Sequence, residues 1–177
     1  MSESLKSQDV VIAIKLVAFG NNAWTQSSLA KSLNMSPAFI NHALPRLDEC
    51  GFYKSKKKLV LVDDLQTFLI FGIRHVFPTK RGERVRGTPT SIGAEPMRSH
   101  MAVEALNWPP VWPYLLGSEQ GYAIQPLCPA IEKVLEDKLF YEILSLVDVL
   151  REGRPREKQI AIDELKKRFN QYKVEVS

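Results

Sequence analysis

Hydrophobic residues recur at helical spacing through the first 50 positions of the chain. Residues 7–20 predict a first helix, with Ser7 or Asp9 as its N-cap and Gly20 at its end. After a short link, Thr25 is a favourable N-cap for a second helix. The apolar face of that second helix is formed by Leu29, Ala30 and Leu33.

A tight turn at Asn34-Met35 separates the second helix from a third. Ser36 caps this third helix, Pro37 fills its first position, where a missing N–H costs nothing, and Gly51 is placed to end it. Pro45 lies inside the helix, where proline removes a backbone hydrogen bond. We therefore expect the helix to bend near residues 43–44 or to end early. Its apolar stripe is Ala38, Phe39, Ala43, Leu44 and Leu47.

Residues 52–62 fit two short strands joined by a turn that is too rich in lysine to be buried. The order of helix, link, two-helix turn and basic hairpin over residues 5–62 resembles the winged-helix domains of bacterial transcription regulators of the MarR-like kind. The resemblance implies that the third helix enters the DNA major groove. A helical hairpin packed inside an all-α protein is the alternative interpretation.

On the DNA-binding interpretation, polar positions on these elements are candidate contacts. Asn can pair with adenine and Arg with guanine through two hydrogen bonds each, and lysines on a hairpin contact phosphates. A bend at Pro45 would move the base contacts toward the start of the helix and away from Arg46. The candidates are Ser36, Pro37, Asn41, His42 and Arg46 on the third helix, Thr25, Gln26 and Ser27 at the start of the second, and Lys54, Lys56, Lys57 and Lys58 in the hairpin. On the alternative interpretation, the lysines simply form a solvated turn without a binding role.

The pattern weakens after the hairpin. Asp63 or Asp64 can cap a helix that reaches Val76 and ends at Phe77-Pro78. Residues 78–113 are dense in Gly, Pro and Arg, which predicts a loop or irregular extended structure. Residues 111–115 and 121–124 can pair as a small hairpin.

The same region is basic, and its role is open between three interpretations. The basic side chains can bind nucleic acid, bind an acidic partner protein, or lie exposed on a structural hairpin without a binding role. They are Arg74, Lys80, Arg81, Arg84 and Arg86.

Helical spacing returns in the last third. A helix is predicted from Pro126 or Pro129 to Leu135, a second over residues 140–150, and a third that begins at Arg154-Pro155. The second carries an apolar stripe suited either to the core or to an interface between subunits: Phe140, Ile143, Leu144, Val147 and Leu150. Regulators of this type bind as dimers to paired half-sites, which makes the terminal helices candidates for dimerisation.

The composition of the chain limits its possible class and location. The 177 residues are 45% hydrophobic and 25% charged, as in soluble globular proteins, and the net charge of +4 permits a polyanionic partner. No apolar run is long enough for a membrane span, and the start lacks the layout of a signal peptide. Two cysteines, Cys50 and Cys128, are too few for a disulfide scaffold, so a cytoplasmic location is expected.

Catalytic patterns are weak. His42, His75 and His100 show no metal-ligand spacing, and the chain has no phosphate-binding glycine loop followed by Lys-Ser or Lys-Thr. We expect no enzymatic activity, no metal and no cofactor.

The sequence therefore predicts an α+β, mainly α protein with a winged helix-turn-helix at residues 1–76. Residues 77–177 would form an irregular basic segment with a small hairpin, followed by helices for dimerisation or partner binding. Short stretches around residues 74–89 and 150–157 look like bacterial regulators of mobile-element and defence loci, some of which lie beside nucleotidyltransferase-type toxins. That resemblance implies that the protein represses its own operon and also counters or accompanies a toxin. With the capped helix pair and the lysine turn, the leading interpretation is a cytoplasmic, dimeric repressor that binds double-stranded DNA. The alternative is an antitoxin-like protein that binds a partner encoded nearby and regulates its own operon.

Overall fold

The computed structural model describes residues 3–176, and side chains through residue 173. Over this range the protein is α+β and mainly helical, as predicted, and no helix is long and apolar enough to cross a membrane. The elements are α1 Ser7–Phe19, α2 Gln26–Leu33, α3 Pro37–Glu49, β1 Tyr53–Lys54, β2 Leu59–Val60, α4 Val62–Phe71, α5 Ile73–Val76, β3 Arg84–Pro89, β4 Pro110–Pro113, β5 Glu119–Ala123, α6 Ile131–Leu135, α7 Lys138–Glu152 and α8 Pro155–Val176. Short 3-10 turns lie at Ser91–Gly93, Met97–His100 and Val103–Leu106.

The helix starts were only partly predicted. Thr25 and Ser36 are N-caps, as expected, but the cap of α1 is Lys6, whose N–H donates to the Asp9 carboxylate at 2.8 Å. Neither Asp63 nor Asp64 caps α4, because the helix already begins at Val62 and both carboxylates lie in its first turn. Carboxylates in a first turn still stabilise the positive end of the helix dipole.

Helix α3 continues through Pro45 to Glu49, so the expected early end is wrong. Four residues follow the proline before the helix stops, and the Cys50 N–H still donates to the Arg46 carbonyl at 2.9 Å. Proline has no N–H to offer the carbonyl of Asn41, four residues earlier, and the helix tolerates this one missing bond.

Helix α1 is the centre of the core. Every residue from position 9 to position 17 is buried, so the helix is covered on all sides, and it packs against α3, α7 and α8. The one lysine on α1, Lys15, donates to Asp137 at 2.7 Å and lies over the Phe19 and Phe140 rings. Asp137 also caps α7 by accepting from the Phe140 N–H, so one carboxylate positions two helices.

The middle of the chain is more ordered than the sequence predicts. Strands β3, β4 and β5 close into a small three-stranded barrel, and each of β4 and β5 is antiparallel to β3. The predicted hairpin between residues 111–115 and 121–124 is wrong, because β4 and β5 pair in parallel, with Pro110 opposite Tyr122. Strand β3 replaces part of the predicted loop.

Two glycines allow the barrel to close. A Cβ on Gly121 would overlap the carbonyl oxygen of Pro109, and a Cβ on Gly117 would overlap the backbone of Gly87. These are contacts between backbone atoms, so no side chain could move to make room for an added Cβ. The barrel can therefore be this small only with glycine at these positions.

A buried ion pair attaches the barrel to α7. The carboxylate of Asp148 accepts from Arg151 (2.8 Å), Thr90 Oγ1 (2.8 Å) and Trp112 Nε1 (2.7 Å). Arg151 also donates to the Phe77 and Gln125 carbonyls. Complete burial raises the pKa of Asp148, and the three donors oppose that rise.

The two predicted segments, 1–76 and 77–177, share one hydrophobic core. The apolar stripe of α7 lies inside it, packed against α1 and α8 rather than left for a second subunit. Near the other end of the fold, the Tyr172 hydroxyl on α8 accepts a hydrogen bond from the Val60 N–H on β2.

We expect Gly121→Ala to prevent closure of the barrel, because the added methyl group has no space beside Pro109. Gly82→Ala is the matched control, since its Cβ would meet the Ala123 carbonyl oxygen at an ordinary 3.5 Å. The measurement is thermal unfolding followed by near-UV circular dichroism. Equal melting temperatures for the two variants would contradict the close approach.

We expect Arg151→Met to lower the free energy of unfolding by about 3–5 kcal/mol, because it leaves the buried Asp148 carboxylate without its counter-charge. Arg154→Met, at an exposed position, should change it by less than about 0.5 kcal/mol. Urea titration measures both. A loss at Arg151 as small as that at Arg154 would show that the pair does not anchor the barrel.

Candidate nucleic-acid interface

Both helices of the α2–α3 pair begin with a side-chain cap, and the cap of α2 is reciprocal. The Thr25 hydroxyl accepts from the Ser28 N–H at 3.0 Å, and the Ser28 hydroxyl accepts from the Thr25 N–H at 2.9 Å. Asn34 ends α2 in the left-handed conformation with φ of 52°, which asparagine tolerates better than most residues. Ser36 then accepts from the Phe39 N–H at 3.1 Å and begins α3.

Helix α3 presents one exposed face along its whole length. Its buried residues pack toward α1 and α2, and Asn41 and His42 lie on the solvent side. This face has no carboxylate before Asp48, whereas its end carries the carboxylates of Asp48 and Glu49. The other members of the face are Ser36, Pro37, Ala38 and Pro45.

Arg46 is not on this face, which corrects the prediction that it contacts a base. Its guanidinium is buried and donates to both carboxylate oxygens of Asp9, at 3.0 and 2.7 Å, and to Glu3 at 2.9 Å. The hydrogen bond to Asp9 is the main reason that the pKa of Arg46 is raised. Arg46 therefore joins α3 to α1 and has a structural role.

The lysine-rich hairpin is fixed to the end of α3. The Ser55 N–H donates to the Asp48 carboxylate at 2.9 Å, and hydrogen bonds from Ser55 are the main cause of the lowered pKa of Asp48. Two short strands flank the turn, as predicted. All four lysines are exposed: Lys54, Lys56, Lys57 and Lys58.

Each of the three predicted sets contributes at least one residue to a cleft of about 210 Å³, whereas Ser36, Pro37, His42, Lys54, Lys56 and Lys57 do not line it. Thr25 and Gln26 line it from the start of α2, Asn41 from α3, and Ser55 and Lys58 from the hairpin. Ser27 is exposed next to Gln26.

Sequence reasoning missed five residues that line this cleft: Trp24, Leu44, Pro45, Tyr53 and Ser55. Trp24 forms one wall, and the Lys58 ammonium lies 5.9 Å from the centre of its ring. Ser55 connects the hairpin to α3 through Asp48. An available signal was the position of Trp24, directly before the Thr25 cap, where its ring has to lie near the start of α2.

The second basic group does not form a single loop. Arg74 is exposed on α5 beside His75, Lys80 is exposed before the barrel, and Arg81 is paired with Glu152 at 2.7 Å. Arg84 and Arg86 lie on strand β3 and point to solvent. Of these five basic residues, Arg84 and Arg86 are the two that lie on one strand and share its exposed face.

Among the residues that the structure describes, no group of three or more His, Cys, Asp or Glu side chains is placed to hold a metal ion. His100 lies 3.7 Å from Glu164 in an ion-pair geometry, and His75 accepts from Arg74.

We expect Arg46→Met to lower the free energy of unfolding by about 3–5 kcal/mol, because Asp9 would remain buried without its counter-charge. His42→Ala, on the exposed face of the same helix, is the control and should change it by less than about 0.5 kcal/mol. The comparison uses urea unfolding of the two variants beside the wild type. A fully stable Arg46→Met protein would show that this ion pair does not hold α3 to α1.

Comparisons with known proteins give no relative from which a function can be transferred. No protein-family model, no curated protein and no solved structure matches the chain.

Proposed function

We propose that the protein is a sequence-specific binder of double-stranded DNA and acts as a dimeric transcriptional repressor. The observation that carries the proposal is the meeting of three exposed elements at one cleft: the start of α2, the polar face of α3 and the lysine hairpin. Together with the order of elements, this supports a winged helix-turn-helix in which α3 is the recognition helix.

The charge distribution favours entry of α3 by its N-terminal half. Asn41 and His42 would meet base edges there, and Asn41 has the donor and acceptor that adenine requires. Asp48 and Glu49 at the other end of the face would be repelled by phosphates. The lysines of the hairpin and the α2 start, Thr25 to Ser27, would contact the DNA backbone on either side.

Repression would follow from occupation of an operator that overlaps a promoter. Dimerisation would add a second half-site and so raise a modest affinity for one site. Because the α7 stripe is used in the core, we propose that the dimer forms through apolar side chains still exposed elsewhere. Phe71 and Val76, on α4 and α5, are such residues.

The test is fluorescence anisotropy with DNA from the region upstream of the gene, compared with a shuffled duplex. Asn41→Ala should cost about 1–3 kcal/mol on the specific duplex and little on the shuffled one, because it removes a base contact. Lys57→Glu should weaken binding to both duplexes, because it removes a phosphate contact. The slope of log affinity against log salt concentration should become shallower by about one.

Lys166→Glu is the matched control for charge. It makes the same change in net charge at an exposed position on α8, away from the α2–α3 pair. If Lys57→Glu and Lys166→Glu lower affinity equally, and Asn41→Ala does not distinguish the two duplexes, the proposed interface is wrong.

Binding of a partner protein, as in an antitoxin, is a second candidate. The observation that favours it is a cavity of about 650 Å³ between the barrel and α7, with Leu116 on its rim and Leu115 beside it. These leucines are 82% and 91% exposed. Co-expression with the product of the adjacent gene tests it: a complex that survives size exclusion and is lost in the Leu115→Ser/Leu116→Ser variant supports it, and its absence counts against it.

A further inference from the structure

The outer face of the barrel carries a regular set of polar and aromatic side chains. In the antiparallel pairing of β3 with β5, Arg84 lies opposite Tyr122 and Arg86 lies opposite Gln120. Because alternate residues of a strand share a face, these four side chains lie on one side of the sheet. Arg84, Arg86 and Gln120 are exposed and Tyr122 is half-buried, which identifies this side as the outer one.

Trp108 extends this face. Its backbone has φ of 58°, a left-handed conformation that costs a bulky residue about 1–3 kcal/mol and is found most often at functional sites. The indole is half-exposed, and the Arg84 guanidinium lies 4.2 Å from its centre. The same guanidinium lies 5.5 Å from the Tyr122 ring and donates a long, 3.4 Å hydrogen bond to its hydroxyl.

The charges of Arg84 and Arg86 are not neutralised by carboxylates within the described part of the chain. Neither guanidinium makes an ion pair there, whereas Arg81 is paired with Glu152 and Arg98 with Glu119. Arg86 is oriented by a hydrogen bond to the Gly117 carbonyl at 3.1 Å. One positive charge, that of Arg84, which is unpaired within the described residues, therefore lies against two aromatic rings, and a second, that of Arg86, lies on the same face of the strand.

We propose that this face, made of Arg84, Arg86, Trp108, Gln120 and Tyr122, binds single-stranded nucleic acid. Unpaired bases stack on the joint surface that the Trp108 ring, the Tyr122 ring and the Arg84 guanidinium form together, while Arg86 contacts the phosphate backbone. Gln120 offers a donor and an acceptor to base edges.

The chemistry favours a single strand over a duplex. In a duplex the faces of the bases are covered by their neighbours, so aromatic rings on a sheet could add nothing to a phosphate contact. Arginines alone could bind the phosphates of a single strand or of a duplex, whereas the aromatic rings favour a single strand. The face lies on β3, β5 and the segment before β4, so the inference does not depend on the function proposed for α3.

The experiment measures anisotropy of the full-length protein with labelled dT12, labelled U12 and a 12-base-pair duplex at low salt. Trp108→Asn removes the ring, and asparagine tolerates the left-handed backbone. Tyr122→Leu keeps an apolar side chain without the ring. Each change should weaken binding of both single strands on the order of tenfold, as loss of one stacked base does.

Further variants separate stacking from charge. Arg84→Lys keeps the charge but loses the planar group, so its affinity for single strands should also fall by several-fold. Arg156→Ala, an exposed arginine on α8, is the matched control and should leave affinity within twofold of wild type. Lys57→Glu should leave binding of dT12 and U12 unchanged, which separates this face from the lysine hairpin.

Circular dichroism confirms that each variant is folded before binding is compared. Tighter binding of U12 than of dT12 identifies RNA as the ligand, and the reverse identifies DNA. The proposal is overturned if folded Trp108→Asn and Tyr122→Leu proteins bind both single strands like the wild type. It is also overturned if the wild type binds neither strand, or if the duplex binds as tightly and responds to the same variants.

Discussion

The structure depends on a carboxylate that is removed from water and fully satisfied by protein donors. Asp148 receives one hydrogen bond each from a helix residue, from the residue that follows β3, and from a strand indole: Arg151, Thr90 and Trp112. A buried charge is unfavourable unless all its hydrogen-bond donors are present. These three bonds therefore fix the position of the barrel on α7. At the other end of α7, Lys15 donates to the partly exposed Asp137 and so fixes the start of this helix against α1.

The elements that could be predicted are those specified by neighbouring residues. The caps at Thr25 and Ser36, the proline at the first position of α3 and the lysine turn all depend on contacts within a few residues, and sequence spacing reveals such contacts. The exposed positions of the candidate interface were predictable for the same reason. The predicted apolar stripe of α3 left out Asn41 and His42, which are exposed, but it wrongly included Ala38, which is exposed as well, and omitted Ile40, which is buried.

Apart from the caps of α1 and α4 and the expected early end of α3, the errors concern contacts between residues far apart in the chain. Arg46 is polar and lies one turn beyond His42, and nothing nearby in sequence indicates that Asp9, 37 positions earlier, would draw it into the core. The barrel escaped prediction because its strands are short, interrupted by proline and glycine, and joined by a parallel pairing that no local pattern encodes. Trp108 and Arg84 likewise meet only after the barrel has closed.

The bond from Val60 to Tyr172 has a further consequence for the hairpin. A two-stranded sheet has two free edges, and an unpaired N–H on an edge invites an additional strand from another chain. The Tyr172 hydroxyl accepts a hydrogen bond from this N–H on β2, and burial raises the pKa of the Tyr172 phenol. The last helix of the chain thus protects the sheet that carries the lysines. A force applied to that hairpin would be transmitted to α8, so segments 112 residues apart in the chain resist displacement together.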